Sequence, residues 1–203
     1  TAINLFVRDM PRLSVDIDVV YLPWQTPRDE ALQAINQELA AIATRVAPLG
    51  VQTRLVRAKD LGDTKLIVEN DASQVKIEVN VVFRGSVLPV GRRALSARTS
   101  ELFGVEFELP VLAPDELYAS KLVAALDRQP PRDLFDVWQL YEAGDISDGM
   151  VECFVIYLAG HNRPPDEVLF GNDKDIAGEY ERAFVGMAEV DCPLETLLDA
   201  RAQ

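Results

Sequence analysis

Between Arg12 and Tyr21 the chain reads Arg-Leu-Ser-Val-Asp-Ile-Asp-Val-Val-Tyr, a β-branched run with two carboxylates between apolar neighbours. Alternation of this kind marks a strand with one apolar and one polar face. Leu13, Val15, Ile17, Val19 and Tyr21 are expected on the core side, and Ser14, Asp16 and Asp18 on the other. Two carboxylates about 6 to 7 Å apart on a strand face repel by about 2 to 3 kcal/mol at an effective dielectric of about 20. A divalent cation turns that repulsion into affinity, and Mg²⁺ accepts one or two carboxylates together with water and phosphate oxygens. An Asp-x-Asp pair also occurs on plain solvated strand faces, so this segment alone leaves both readings open.

A helix is expected next. Thr26 is placed to cap it, Pro27 suits its first position and Asp29 closes a capping box. Leu32, Ile35, Leu39, Ile42, Val46 and Leu49 form one apolar stripe, and Gly50 stops the helix. Three strands should follow, over residues 51–57, 64–69 and 73–83, with turns at Asp60-Leu61-Gly62-Asp63 and Asn70-Asp71. The third divides as the first does. Val75, Ile77, Val79, Val81 and Phe83 lie on one face, and Lys76, Glu78, Asn80 and Val82 on the other. If this strand neighbours the first, Asp16, Asp18 and Glu78 converge on one patch; otherwise Glu78 merely faces water.

Residues 84–110 read as a glycine-punctuated connection ending in a strand near 105–109. Arg84, Arg92, Arg93 and Arg98 fall there within fifteen residues free of acids, either a contact for a polyanion or a solvated loop. Pro114 then suits the first turn of a helix, with Asp115 and Glu116 favourable at its N-terminus. Leu117, Lys121, Ala124 and Arg128 share one of its faces. Pro130-Pro131 ends this helix and starts another over 132–141, closed by Gly144, where Asp133 and Asp136 are one turn apart and Arg132 is spaced to pair with Asp136. Further helices are expected over 150–158, 176–187 and 193–201, with Ile176, Tyr180 and Phe184 on one face of the second. Apolar residues at helical spacing in 1–8 suggest a helix joined partway. His161 is the single histidine and has no serine or cysteine partner pattern near it, which gives it a structural role.

The net charge of −13 over 203 residues argues against a general nucleic-acid binder, which needs a basic surface to displace counterions. No apolar run reaches bilayer length, so no membrane association is expected. Cys153 and Cys192 lie far apart outside any CxxC pattern, as expected for reduced thiols in a cytoplasm and not for structural zinc.

Three segments together resemble the AbiEii/AbiGii toxin family of nucleotidyltransferases. They are Arg12-Leu13-Ser14-Val15-Asp16-Ile17-Asp18, Ile77-Glu78-Val79, and Lys121 with Asp127-Arg128-Gln129-Pro130-Pro131-Arg132-Asp133-Leu134-Phe135-Asp136. The likeness runs to about Tyr141 and is looser beyond. It implies an α+β fold: a mixed-sheet nucleotidyltransferase domain over 1–112, with helices on one face and the metal site on the other, followed by a helical domain over 113–203. It also implies a cytoplasmic, Mg²⁺-dependent enzyme using two ions, the toxin of a toxin-antitoxin or abortive-infection pair. Such an enzyme moves an NMP from an NTP to an acceptor, either RNA such as a tRNA 3′ end or a protein hydroxyl, and has a cognate antitoxin.

By the same resemblance, Asp16 and Asp18 are metal-binding carboxylates, and Glu78 is the third, able to activate the attacking hydroxyl. Ser14 and Lys121 contact nucleotide phosphates. Asp133, and less directly Asp136, belong to the last motif, with Arg128 and Arg132 supporting phosphate or positioning those acids. The family's first motif opens with Gly-Gly or Gly-Ser ahead of the Thr-Ala found here, so weak nucleotide binding is expected of the chain as it stands. Clustered carboxylates also suit a two-metal phosphodiesterase or nuclease, and a catalytically silent binding or regulatory protein of the same fold is the other rival.

Overall fold

The computed structural model describes residues 2–14, 16–58, 62–81, 83–144 and 146–202. Thr1, Val15, Asp60, Leu61, Val82 and Gln203, on which some expectations fall, lie outside the described residues. By their contacts the residues group into two units, one spanning Ser14–Ser86, the other Ile3–Leu13 with Val87–Gln203. The division read at residue 112 does not coincide with this grouping, which places 87–112 with the helices.

The first unit holds β1 (Asp16–Val20), α1 (Arg28–Val46), β2 (Gln52–Ala58), β3 (Gly62–Glu69) and β4 (Gln74–Asn80). Its sheet order is β1-β4-β3-β2. β1 runs parallel to β4 and the other pairs are antiparallel, so the sheet is mixed, as expected of the α+β class. Ile35 and Leu39 of α1 are buried against Leu66, joined by Tyr21, Ile42, Val68, Ile77, Val79 and Val81.

Two details of α1 differ from expectation. Pro27 is extended and precedes the helix, and Thr26 makes no cap. After Val46 the chain tightens into a 3₁₀ turn, Ala47–Leu49, which breaks the helical period and leaves Leu49 76% exposed. Gly50, at φ 75°, ends it as expected.

The core face assigned to the first strand needs a larger correction. Leu13 is half exposed, Ile17 is 48% exposed and Val19 is also exposed; Tyr21 alone of the described residues on that face joins the cluster. The reason is width. A helix about 10 to 12 Å across covers about two strands spaced about 4.8 Å apart. α1 lies mainly over β3, and β1 is the edge strand. β1 is tied instead at its exit, where the Gly85 N–H donates to the Tyr21 carbonyl at 2.8 Å. Gly85 sits at φ 88°, and a Cβ there would come within 2.8 Å of Trp24 Cβ, so only glycine fits.

In the second unit, residues 84–110 are more ordered than the expected connection. β5 (Gly91–Ala94) pairs antiparallel with β6 (Glu108–Val111), and α2 (Ala97–Phe103) lies between them. Ser96 caps α2 and Gly104, at φ 61°, terminates it. This helix was not anticipated, although a serine cap and a glycine stop are the residue types that bound one.

The helices α3 (Pro114–Arg128), α4 (Pro131–Ala143), α5 (Asp148–Ala159), α6 (Pro165–Leu169), α7 (Ala177–Ala183) and α8 (Leu194–Ala202) complete the unit. α6 was not anticipated, and α7 is shorter than residues 176–187. Ile176 and Phe184 are nevertheless buried together with Phe135, Leu134, Val137, Cys192 and Leu197. No helix of the described residues is long and apolar enough to cross a membrane.

Both cysteines are buried free thiols. Burial, then the charge of Asp191, pushes Cys192 up to about 11, and burial, then Glu116, also raises Cys153. A thiol whose folded pKa exceeds its unfolded value near 9.0 favours folding below that pH. Its contribution is lost as pH rises from 9.0 towards about 11, because only the unfolded chain ionises there. Urea unfolding across this range should show stability falling with pH, less steeply in Cys192→Ala. A thiol-reactive dye at about pH 8 should label neither cysteine until the protein is denatured.

Candidate functional site

The parallel register of β1 and β4 sets Asp16 beside Lys76 and Asp18 beside Glu78. Partners in register point to the same side of a sheet. Asp16, Asp18 and Glu78 therefore share the face opposite α1. The antiparallel pairing of β4 with β3 adds Lys65 beside Glu78.

Cations separate these acids. Lys76 Nζ lies 3.3 Å from Asp16 Oδ1 and 3.4 Å from Glu78 Oε1, and Lys65 Nζ lies 2.5 Å from the same Glu78 oxygen. Burial alone would raise Glu78, but the Lys65 hydrogen bond and the charges of Lys76 and Lys65 outweigh it and hold the carboxyl below its usual range. Burial likewise works against a charged Lys76, and is outweighed by the hydrogen bond and charge of Asp16, then by Glu78, so its pKa is raised. Lys76 was visible in the sequence on this polar face without a role. Lys65 was missed because its strand was not divided face by face.

Among the described residues no group of three His, Cys, Asp or Glu side chains forms a metal cage. The donors still fit a hard divalent cation in kind. All three are oxygen ligands on one face, two carboxylates suffice for Mg²⁺ when phosphates complete its shell, and the Lys76 ammonium shows positive charge accommodated beside Asp16 and Glu78.

The second unit carries its own charge cluster. The Arg12 guanidinium meets the Asp136 carboxylate through two hydrogen bonds, at 2.8 and 2.6 Å, with both side chains almost fully buried. Lys121 Nζ lies 2.7 Å from Asp133 and 3.4 Å from Asp136. Arg128 reaches Asp133 at 3.5 Å from an exposed position. Asp136 is thus matched by Arg12 and Lys121 in place of the expected Arg132. Proline at the start of α4, after an extended Pro130, places Asp133 and Asp136 on its inward side, and Lys121 projects to them from α3. Arg12 appeared in the sequence only as the first letter of a motif, and its counter-ion lies 124 positions away.

Of the four arginines in 84–98, Arg84 donates to the Thr26 carbonyl, Arg92 pairs with Glu108 and Arg98 pairs with Glu189. These partners reduce the free cationic surface that the acid-free stretch suggested. His161 lies beside Asp127, which also pairs with Arg163, in keeping with a structural role. The sequence also gave no sign that Glu116 is fully buried. It accepts hydrogen bonds from the Val87 and Leu88 amides and the Tyr157 hydroxyl, which pins the 87–88 loop to α3.

Removing one partner of a buried ion pair strands the other charge, at a cost of about 3 to 5 kcal/mol. Asp136→Asn and Arg12→Met should each lower unfolding free energy by that amount in urea titrations. The Arg12→Met/Asp136→Leu double variant should lose clearly less than the sum.

The family model described as nucleotidyl transferase AbiEii toxin, type IV TA system, matches residues 1–200. Among solved structures, MenT4, a nucleotidyltransferase toxin of Mycobacterium tuberculosis H37Rv, is similar in fold, with a TM-score of 0.64 at 18% identity over 99% of this chain and 70% of that one. A search of curated proteins found no match. The chain therefore belongs to the AbiEii family of nucleotidyltransferase toxins of type IV toxin-antitoxin systems.

Proposed function

We propose that the protein transfers an NMP from an NTP to an acceptor hydroxyl on RNA, such as a tRNA 3′ end, or on a protein, with Mg²⁺ as cofactor in the cytoplasm. The observation that carries this reading is the sharing of one sheet face by Asp16, Asp18 and Glu78, produced by the parallel pairing of β1 with β4. Three carboxylates on one face repel a triphosphate unless cations offset them, and family membership supplies the class of reaction.

In this proposal Asp16 and Asp18 hold the divalent ions, with Glu78 as the third carboxylate. When bound, such ions neutralise the triphosphate and align attacking and leaving oxygens. Glu78, held ionised by its lysine neighbours, accepts the proton of the acceptor hydroxyl as that oxygen attacks the α-phosphate and pyrophosphate departs. Ser14 donates its hydroxyl to a phosphate oxygen.

In the helical unit, Lys121 has the role of a phosphate-binding cation. Asp133 and Asp136 fix its ammonium, and the exposed Arg128 and neighbouring Arg132 supply further positive charge for phosphate. Catalysis is then mostly positioning and preset electrostatics. A cognate antitoxin follows from the family, whose systems pair a toxin with its antitoxin.

Incubation with each α-³²P NTP, Mg²⁺ and total tRNA should label RNA for a preferred nucleotide. Asp16→Ala should lower the rate by about 10²-fold or more, in line with loss of a preorganised electrostatic group. Label on the protein alone would redirect the acceptor. Equal labelling by Asp16→Ala would overturn the site.

A further inference from the structure

Beyond keeping Glu78 ionised, the lysines among the carboxylates have no part in the proposed reaction. Lys76 is not a peripheral charge. It stands beside Asp16 in the β1–β4 register, and its ammonium lies within 3.4 Å of carboxylate oxygens from both strands. Lys65 contacts Glu78 from the opposite neighbour strand. A divalent ion bound by Asp16 together with Glu78 draws on the same two carboxylates and brings charge of the same sign.

We propose that Lys76 is a built-in competitor for the divalent cation: its ammonium neutralises Asp16 and Glu78 in the metal-free protein, and metal binds by displacing it. This rests on the metal-site reading above. The physical basis is that an ammonium and a metal ion cannot share two carboxylate oxygens at contact distance. Like charges held at contact distance beside a protein surface repel strongly.

The aliphatic stem of lysine has rotatable bonds enough to swing its head into water without moving the strand. Exchange therefore costs the lysine its two ion pairs and leaves the backbone register intact. The affinity of the site is lowered by the strength of those pairs, so the carboxylates load with metal only when free cation, or a metal–nucleotide complex, is abundant. Lys76 is thus a positioning residue that acts on the cofactor through Asp16 and Glu78. It sets the metal threshold of the enzyme.

The test is Mn²⁺ binding followed by electron paramagnetic resonance, on the wild type, Asp16→Ala, Lys76→Met and Arg54→Met. Arg54 is an exposed cation on β2 that serves as a control for loss of one positive charge. Lys76→Met should bind Mn²⁺ about tenfold more tightly than the wild type, and Arg54→Met should change little.

In parallel, acetylation of each lysine by acetic anhydride is read by mass spectrometry on the unaltered protein, with and without Mg²⁺. Lys76 should become several-fold more reactive when Mg²⁺ is added, while the lysines of the helical unit stay unchanged. If Asp16→Ala abolishes Mn²⁺ binding but Lys76→Met binds like the wild type and Lys76 reactivity is indifferent to Mg²⁺, the competitor role is overturned and the metal site stands. If the wild type binds no Mn²⁺, or Asp16→Ala binds it equally, the metal site and the competitor role fall together.

Discussion

The parallel pairing of β1 with β4 is the constraint on which the candidate site depends. Its register places Asp16 beside Lys76 and Asp18 beside Glu78. A shift of one residue would send every side chain of β1 to the other face. Little packing holds that register from above, since Ile17 and Val19 are exposed on the uncovered edge of the sheet. The ladder itself, the ion pairs across it and the close approach of Gly85 to Trp24 do that work.

Charge compensation is a second theme, met differently in the two units. On the sheet the carboxylates and their lysine partners are both part-exposed. In the helical unit Arg12 and Asp136 are sealed from water. A buried bidentate pair contributes little net stability against an apolar substitute, but loss of one member is costly. Such a pair specifies one arrangement of Arg12, Lys121, Asp133 and Asp136.

Much of the first unit was legible because its signals are local. Period-two alternation disclosed the strands, and the apolar stripe disclosed α1. β5 was missed because Gly-Arg-Arg-Ala has no alternation to read, and α2 was missed as well, although Ser96 and Gly104 stand at its ends. The exposed side of β1 was misassigned because alternation tells which residues share a face, not whether anything covers it. Arg132 was matched to Asp136 by helical spacing, yet a guanidinium 124 positions upstream takes that carboxylate.

The sequence by itself determined the type of the first unit's elements and of the longer helices of the second, the division of the two acidic strands into faces and, through motif resemblance, the nucleotidyltransferase toxin family. Periodicity and caps are properties of contiguous residues, and motif spacing survives without a fold. The tertiary structure alone decided which strand lies beside β1, that Lys76 and Lys65 stand among its acids, that Arg12 is buried against Asp136, and that Glu116 holds the 87–88 loop. These are partnerships between residues distant in the chain, set by sheet order and helix packing, for which no local pattern carries a signal.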